Sequence, residues 1–154
     1  MDKPTFVYVT YIETTAEKLW EALTRSEFTN QYWFGTEVES DWEVGSPVVF
    51  RRGGKEVSYD QTVLKSEPPR LLSYTWGSAC CGQTKEKPSR VTFEIESLGV
   101  TAERAGKGVK LMVTHDDFPP GSTVFPGISK GWPAVLSGLK TLLETNSAMV
   151  IPMG

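Results

Sequence analysis

Only one long stretch of this chain has the spacing of an amphipathic helix, and it comes after a long run of β-type alternation. Trp132, Val135, Leu136, Leu139, Leu142 and Leu143 form a single apolar stripe at helical spacing near the C-terminal end. Upstream, between residues 36 and 115, the apolar positions recur at period two. Val48 and Phe50 alternate, then Val57, Tyr59, Gln61 and Val63, then Leu72, Tyr74 and Trp76. Val91, Phe93 and Ile95 follow, and finally Val109, Leu111, Val113 and His115. A sheet with one apolar face and a single long helix to cover it has few ways to fold. Sequential antiparallel strands curl, and the helix lies in the concavity. The expectation is an α+β fold, a curved antiparallel sheet of about six or seven strands around a long C-terminal helix.

The N-terminal part refines this. Phe6 to Glu13 is β-branched and aromatic and reads as a strand. Ala16, Leu19, Trp20 and Leu23 then switch to helical period, with Thr14 and Glu17 spaced as a capping box. Ser26 is placed to cap a second short helix running to about Tyr32, before Gly35 breaks it. Two short helices after the first strand are thus expected. Gly53-Gly54 supplies a tight hairpin, and Pro68-Pro69 ends the strand that follows it. Residues 78 to 89, 98 to 108 and Asp116 to Gly127 read as loops, with Pro133 in the first turn of the final helix. No linker or repeat interrupts the chain, so all 154 residues are expected to form one domain, with a core from about residue 6 to 146.

Charge and cysteine usage exclude several function classes. The formal net charge is -3 and the 16 basic residues are scattered, so no basic stripe points to nucleic acid. No apolar run is long enough to span a bilayer, and Met1-Asp2-Lys3-Pro4 lacks the apolar core of a secretory signal. The cytoplasm is the expected address. Cys80 and Cys81 are adjacent, which suits neither a disulfide framework nor a zinc site, where paired thiolates are separated by two to four residues. Neither a metal nor another cofactor is expected.

His115 is the only histidine. The alternation turns its ring toward the concave face, where it could act as a general base or, more simply, pack and bond to a carbonyl or a Trp. Asp116, its neighbour on the strand, points to the opposite face and cannot orient it. The aromatic residues carry the strongest hint of function. Trp33, Tyr59, Tyr74, Trp76, Phe93, Phe118 and Trp132 all fall where period points them inward, joined by Gln61, His115 and Leu136. A mainly apolar site with a few convergent polar groups is the usual form of a small-molecule pocket.

The segments Ile12-Glu13-Thr14-Thr15-Ala16-Glu17-Lys18-Leu19-Trp20-Glu21-Ala22-Leu23-Thr24, Trp33-Phe34-Gly35 and Pro69-Arg70-Leu71-Leu72-Ser73-Tyr74-Thr75-Trp76 stand in a distinctive order. They are followed by Thr114-His115-Asp116-Asp117-Phe118, Gly131-Trp132-Pro133, Leu136, Leu139-Lys140 and Leu143-Glu144. This set resembles the bacterial members of the heat-shock-protein-90 ATPase activator homologue family, within the START-like or birch-pollen-allergen-like superfamily. The resemblance implies a helix-grip fold with a cavity between sheet and long helix. The superfamily holds ligand carriers, cyclases, hydrolase-like proteins and co-chaperones, so fold alone does not choose among them. Binding of a small hydrophobic or aromatic molecule is the reading favoured over catalysis. The alternatives are a stress-related co-chaperone acting on a chaperone or other protein, and a cyclase- or hydrolase-like enzyme using His115. The apolar tail, Ala148 to Gly154, leaves a homodimer open.

Overall fold

The computed structural model describes residues 4–58, 61–77, 87–98 and 108–149. Tyr59, Cys80 and Cys81 lie outside these residues. The elements run β1 (Phe6–Ile12), α1 (Ala16–Thr24), α2 (Ser26–Tyr32), β2 (Thr36–Glu39), β3 (Val49–Arg52), β4 (Lys55–Ser58), β5 (Val63–Glu67), β6 (Leu71–Trp76), β7 (Ser89–Ser97), β8 (Val109–Asp116) and α3 (Phe125–Thr145). Five strands form an antiparallel sheet in the order β1-β8-β7-β6-β5, and β2, β3 and β4 form a second ladder of three. The long C-terminal helix packs against the five-stranded sheet, as a helix-grip fold requires.

The expectation of one sheet of six or seven strands is refined to eight strands in two ladders among the described residues. Pro47 sits opposite Thr62 in a single bridge, flanked by bonds from the Val48 amide to the Gln61 carbonyl and from the Val63 amide to the Ser46 carbonyl, both 2.9 Å. Thr62 turns its own N–H and C=O toward Thr75 of β6, so Pro47 and Thr62 face each other with no direct bond between them, and a proline is tolerated there. Val57 and Val63 belong to β4 and β5 rather than to one returning strand. The Gly53-Gly54 hairpin is as expected, with φ of 61° and 81°.

Helix boundaries moved where two signals competed. Thr15, not Thr14, caps α1, its hydroxyl accepting from the Lys18 amide at 3.2 Å. Thr14 is buried instead, and Glu17 is one residue too early for a capping box. Ser26 is the first residue of α2 rather than its cap, a position held by Arg25 without a side-chain bond. The largest shift is in α3, which begins at Phe125, two turns before the expected start. Ser122 Oγ accepts from the Val124 and Phe125 amides, both at 3.1 Å, and Pro126 occupies the first turn. Pro133 therefore lies inside the helix. An internal proline costs about 3 kcal/mol. Burial of Trp132, Val135 and Leu136 on either side of it offsets this, at roughly 2 kcal/mol per large apolar side chain.

The core fills the space between sheet and helix. Leu72, Tyr74, Val91, Phe93, Ile95, Leu111, Val113 and His115 face inward from β6, β7 and β8, against Ile128, Trp132, Val135, Leu136, Leu139 and Leu142 of α3. At the far end of α3, Lys140 Nζ donates to the Tyr11 carbonyl at 2.7 Å and Glu144 accepts the Glu13 amide at 2.9 Å. These contacts tie the helix to the β1 edge.

Candidate ligand-binding cleft

Three indoles meet at one end of the core. Trp33 stacks on Trp76 with centroids 6.2 Å apart, and both lie 5.4 Å from Trp132. Each comes from a different part of the fold. Trp76 ends β6, Trp132 sits on the inner face of α3, and Trp33 is the C-cap of α2. The turn that follows Trp33 takes Phe34 and Gly35 into the left-handed region, at φ of 50° and 72°. For a bulky residue such as Phe34 this costs on the order of 1–2 kcal/mol, and strained residues of this kind gather at binding sites.

Between the α2–β2 turn and the first half of α3 these rings leave a cleft of about 160 Å³, lined by Trp33, Phe34, Trp76, Gly127, Ile128, Gly131, Trp132 and Val135. It reaches solvent beside the exposed Gly127. Behind it, the described side chains between sheet and α3 pack as core. A larger depression of about 570 Å³ lies near Pro69–Leu71, but Arg70, Glu94, Glu96 and Lys110 line it, and charged walls do not suit an apolar guest.

The expected site residues separate into two groups. Trp33, Trp76 and Trp132 line the cleft. Tyr74, Phe93, His115, Phe118, Gln61 and Leu136 lie behind it, each nearly or fully buried. Gln61 spends both ends of its amide on backbone, donating to the Val48 carbonyl and accepting the Gly77 amide, both at 3.2 Å. Phe118 stacks on the His115 ring at 4.6 Å. The Tyr74 hydroxyl is the one buried side-chain polar atom among the described residues with no hydrogen-bond partner. Burial pushes its pKa far up, so it stays a neutral hydroxyl.

His115 is held on both nitrogens. Trp132 Nε1, which can only donate, donates to His115 Nδ1 at 3.0 Å, so Nδ1 carries no proton. Nε2 must carry it, and it lies 2.8 Å from Ser89 Oγ, to which it donates. The ring is therefore a fixed neutral tautomer. Burial lowers its pKa to about 3, only partly opposed by the charge of Asp116. The Asp116 carboxylate lies on the opposite face and pairs with Arg90, at 2.8 and 2.9 Å. Because Ser89 accepts from His115, its hydroxyl is not activated as a nucleophile. The chemistry of the histidine is to hold Trp132, and through it one wall of the cleft.

Four features escaped the sequence reading. Ile128 and Gly131 keep helical register with Trp132, but a helix expected to start later hides them, and Val135, though on the expected apolar stripe, carries nothing to mark it as lining a site. Phe34 carries no periodic signal at all. Ser89 could have been found, since it is two residues before Val91 on the inward face of β7. Gly127 fell in an expected loop.

The model of the family described as activator of Hsp90 ATPase homolog 1-like protein matches residues 13–144. The chain belongs to that family. Several solved structures share the Hsp90-activator-homologue fold with it. A protein from Cytophaga hutchinsonii, solved in solution, is 30% identical with a TM-score of 0.71, over 95% of this chain and 98% of that one. One from Mesorhizobium loti is 27% identical, also at 0.71, over 91% and 96%. An HSP90 activator from Plasmodium falciparum is 19% identical with a TM-score of 0.69, over 90% and 95%. Among curated proteins there is no match. Among the described residues no group of three or more His, Cys, Asp or Glu is placed to hold a metal, and no helix is long and apolar enough to cross a membrane.

Proposed function

We propose that this Hsp90-activator homologue is a binding module whose ligand is a small apolar, ring-sized molecule seated in the three-indole cleft. The observation that carries this reading is the cleft itself, an apolar space walled by three tryptophans beside a strained Phe34. Its size is close to that of an engineered apolar cavity of about 150 Å³ that takes up benzene. Catalysis through His115 has little support, because its nitrogens are both engaged and its pKa lies well below neutrality. The test is a thermal-shift screen against monocyclic and bicyclic aromatic compounds. A ligand at 100 times its dissociation constant stabilises the fold by about 2.7 kcal/mol. That stabilisation should disappear in Trp76→Leu with the circular-dichroism spectrum unchanged. A screen with no shift, or a shift that survives in the variant, would sink the reading.

A second reading has one observation in its favour, the family match together with the neighbour named as an HSP90 activator. In this reading the same cleft takes one apolar side chain of a chaperone. Titrating purified Hsp90 into the labelled chain would separate the two, since only the second expects a complex that Trp76→Leu weakens.

A further inference from the structure

We infer that Gly127 and Gly131 select the ligand, and that it is a flat, uncharged ring lying against the bare backbone of α3 at these two residues. The inference rests on the binding reading above and adds to it the class of ligand and the residues that set its size.

Of the glycines in α3, one has a packing reason. A Cβ on Gly138 would come within 3.3 Å of the Tyr32 side chain and carbonyl, so α2 can approach the helix only over a glycine. Gly127 and Gly131 have no such reason. A Cβ on either meets nothing within 4 Å, and neither has the positive φ that favours glycine. Glycine is nonetheless among the poorest residues for a helix. Both line the cleft. Four residues apart, they are neighbours on one helix face, and together they leave a strip of uncovered backbone in the wall that faces Trp33 and Trp76. Ile128, Trp132 and Val135 complete the same wall.

A strip without side chains admits a flat face where a Cβ would intrude. An anionic group there would find no counter-charge, because every lining residue is apolar or glycine. Nor does Trp132 offer its indole N–H, already given to His115.

The test uses toluene as the probe, followed through the indole N–H signals of Trp33, Trp76 and Trp132. Gly131→Ala and Gly127→Ala should each weaken toluene binding by about tenfold or more, the usual effect of one misplaced methyl(ene) in an apolar pocket. Gly131→Ala should at the same time melt higher, by about 2–4 °C, because alanine is the better helix former. Lys130→Ala, outside the cleft, should bind toluene like the parent. If the parent chain does not bind toluene, the binding reading falls and takes this inference with it. If it binds and the alanine variants match it, binding stands and the glycines are not selective. A lower melting temperature in Gly131→Ala would show a steric role in the fold and overturn the inference as well.

Discussion

His115 has several sequence marks of a functional group, and its geometry makes it a poor base. It is the sole histidine, inward-facing and beside the cleft, yet both nitrogens are committed and burial holds its pKa at about 3. In the unfolded chain the pKa is about 6.5. Below that value the unfolded state binds a proton that the folded state refuses, so stability is full above pH 6.5 and falls as the pH drops toward 3. The slope is about 1.4 kcal/mol per pH unit. Urea unfolding at pH 7, 6, 5 and 4 should show the gap between the parent and His115→Gln narrowing at roughly that rate. A constant gap would mean the histidine titrates alike in both states. Tyr74 makes the opposite point, since its hydroxyl has no partner. Tyr74→Phe removes an unpaired buried dipole and should raise stability by about 1 kcal/mol; a comparable loss would reveal a bond to that oxygen. Alternation was enough to turn both residues inward. It could not show that the Tyr74 oxygen is left alone, nor which nitrogen of His115 donates, because that depends on Ser89 and Trp132, on other elements.

Among the elements, the strands were legible and the helix ends were not. Period two marks Val91, Phe93 and Ile95 without competition, because no other structure gives that pattern. The start of α3 had two rival signals, Pro126 and Pro133, each suited to a first turn. The chain uses the earlier one and carries the later inside the helix. Propensity favours the opposite choice, and tertiary burial of Ile128 and Trp132 overrides it. The Thr14–Thr15 pair posed the same difficulty on a smaller scale, two capping residues side by side with one cap to fill. At Gly138 the α2–α3 contact leaves little freedom. Gly138→Ala gains helix propensity but forces the Tyr32 backbone aside, and overpacking costs about 1–3 kcal/mol. A net loss of about 1 kcal/mol is expected by thermal unfolding. An unchanged or higher melting temperature would mean that α2 yields easily.

For the molecule as a whole, the division into two ladders is the feature that alternation could not reveal, because Val57 and Val63 keep period two across the boundary between β4 and β5. Each ladder supplies its own part of the core, and the family resemblance described the general plan without this seam. β1 forms one edge of the larger sheet and leaves Val7, Val9 and Tyr11 exposed on its outer side. Among the described residues the smaller ladder joins the larger one by backbone around Pro47 and Thr62, and by rings where Phe50 of β3 meets Trp76 and Tyr74 of β6, at 5.2 and 6.3 Å. The cleft opens across that junction, with Trp33 and Phe34 at the start of the smaller ladder and Trp76 at the end of a strand of the larger. A guest would therefore touch both parts at once and act as a rivet between them. Amide hydrogen exchange should slow on binding in β2, β3 and β4, remote from most of the guest's contacts, while β7 and β8 keep their own rates. The protein would then report occupancy as a change in how tightly two halves are held together, with no change of shape required.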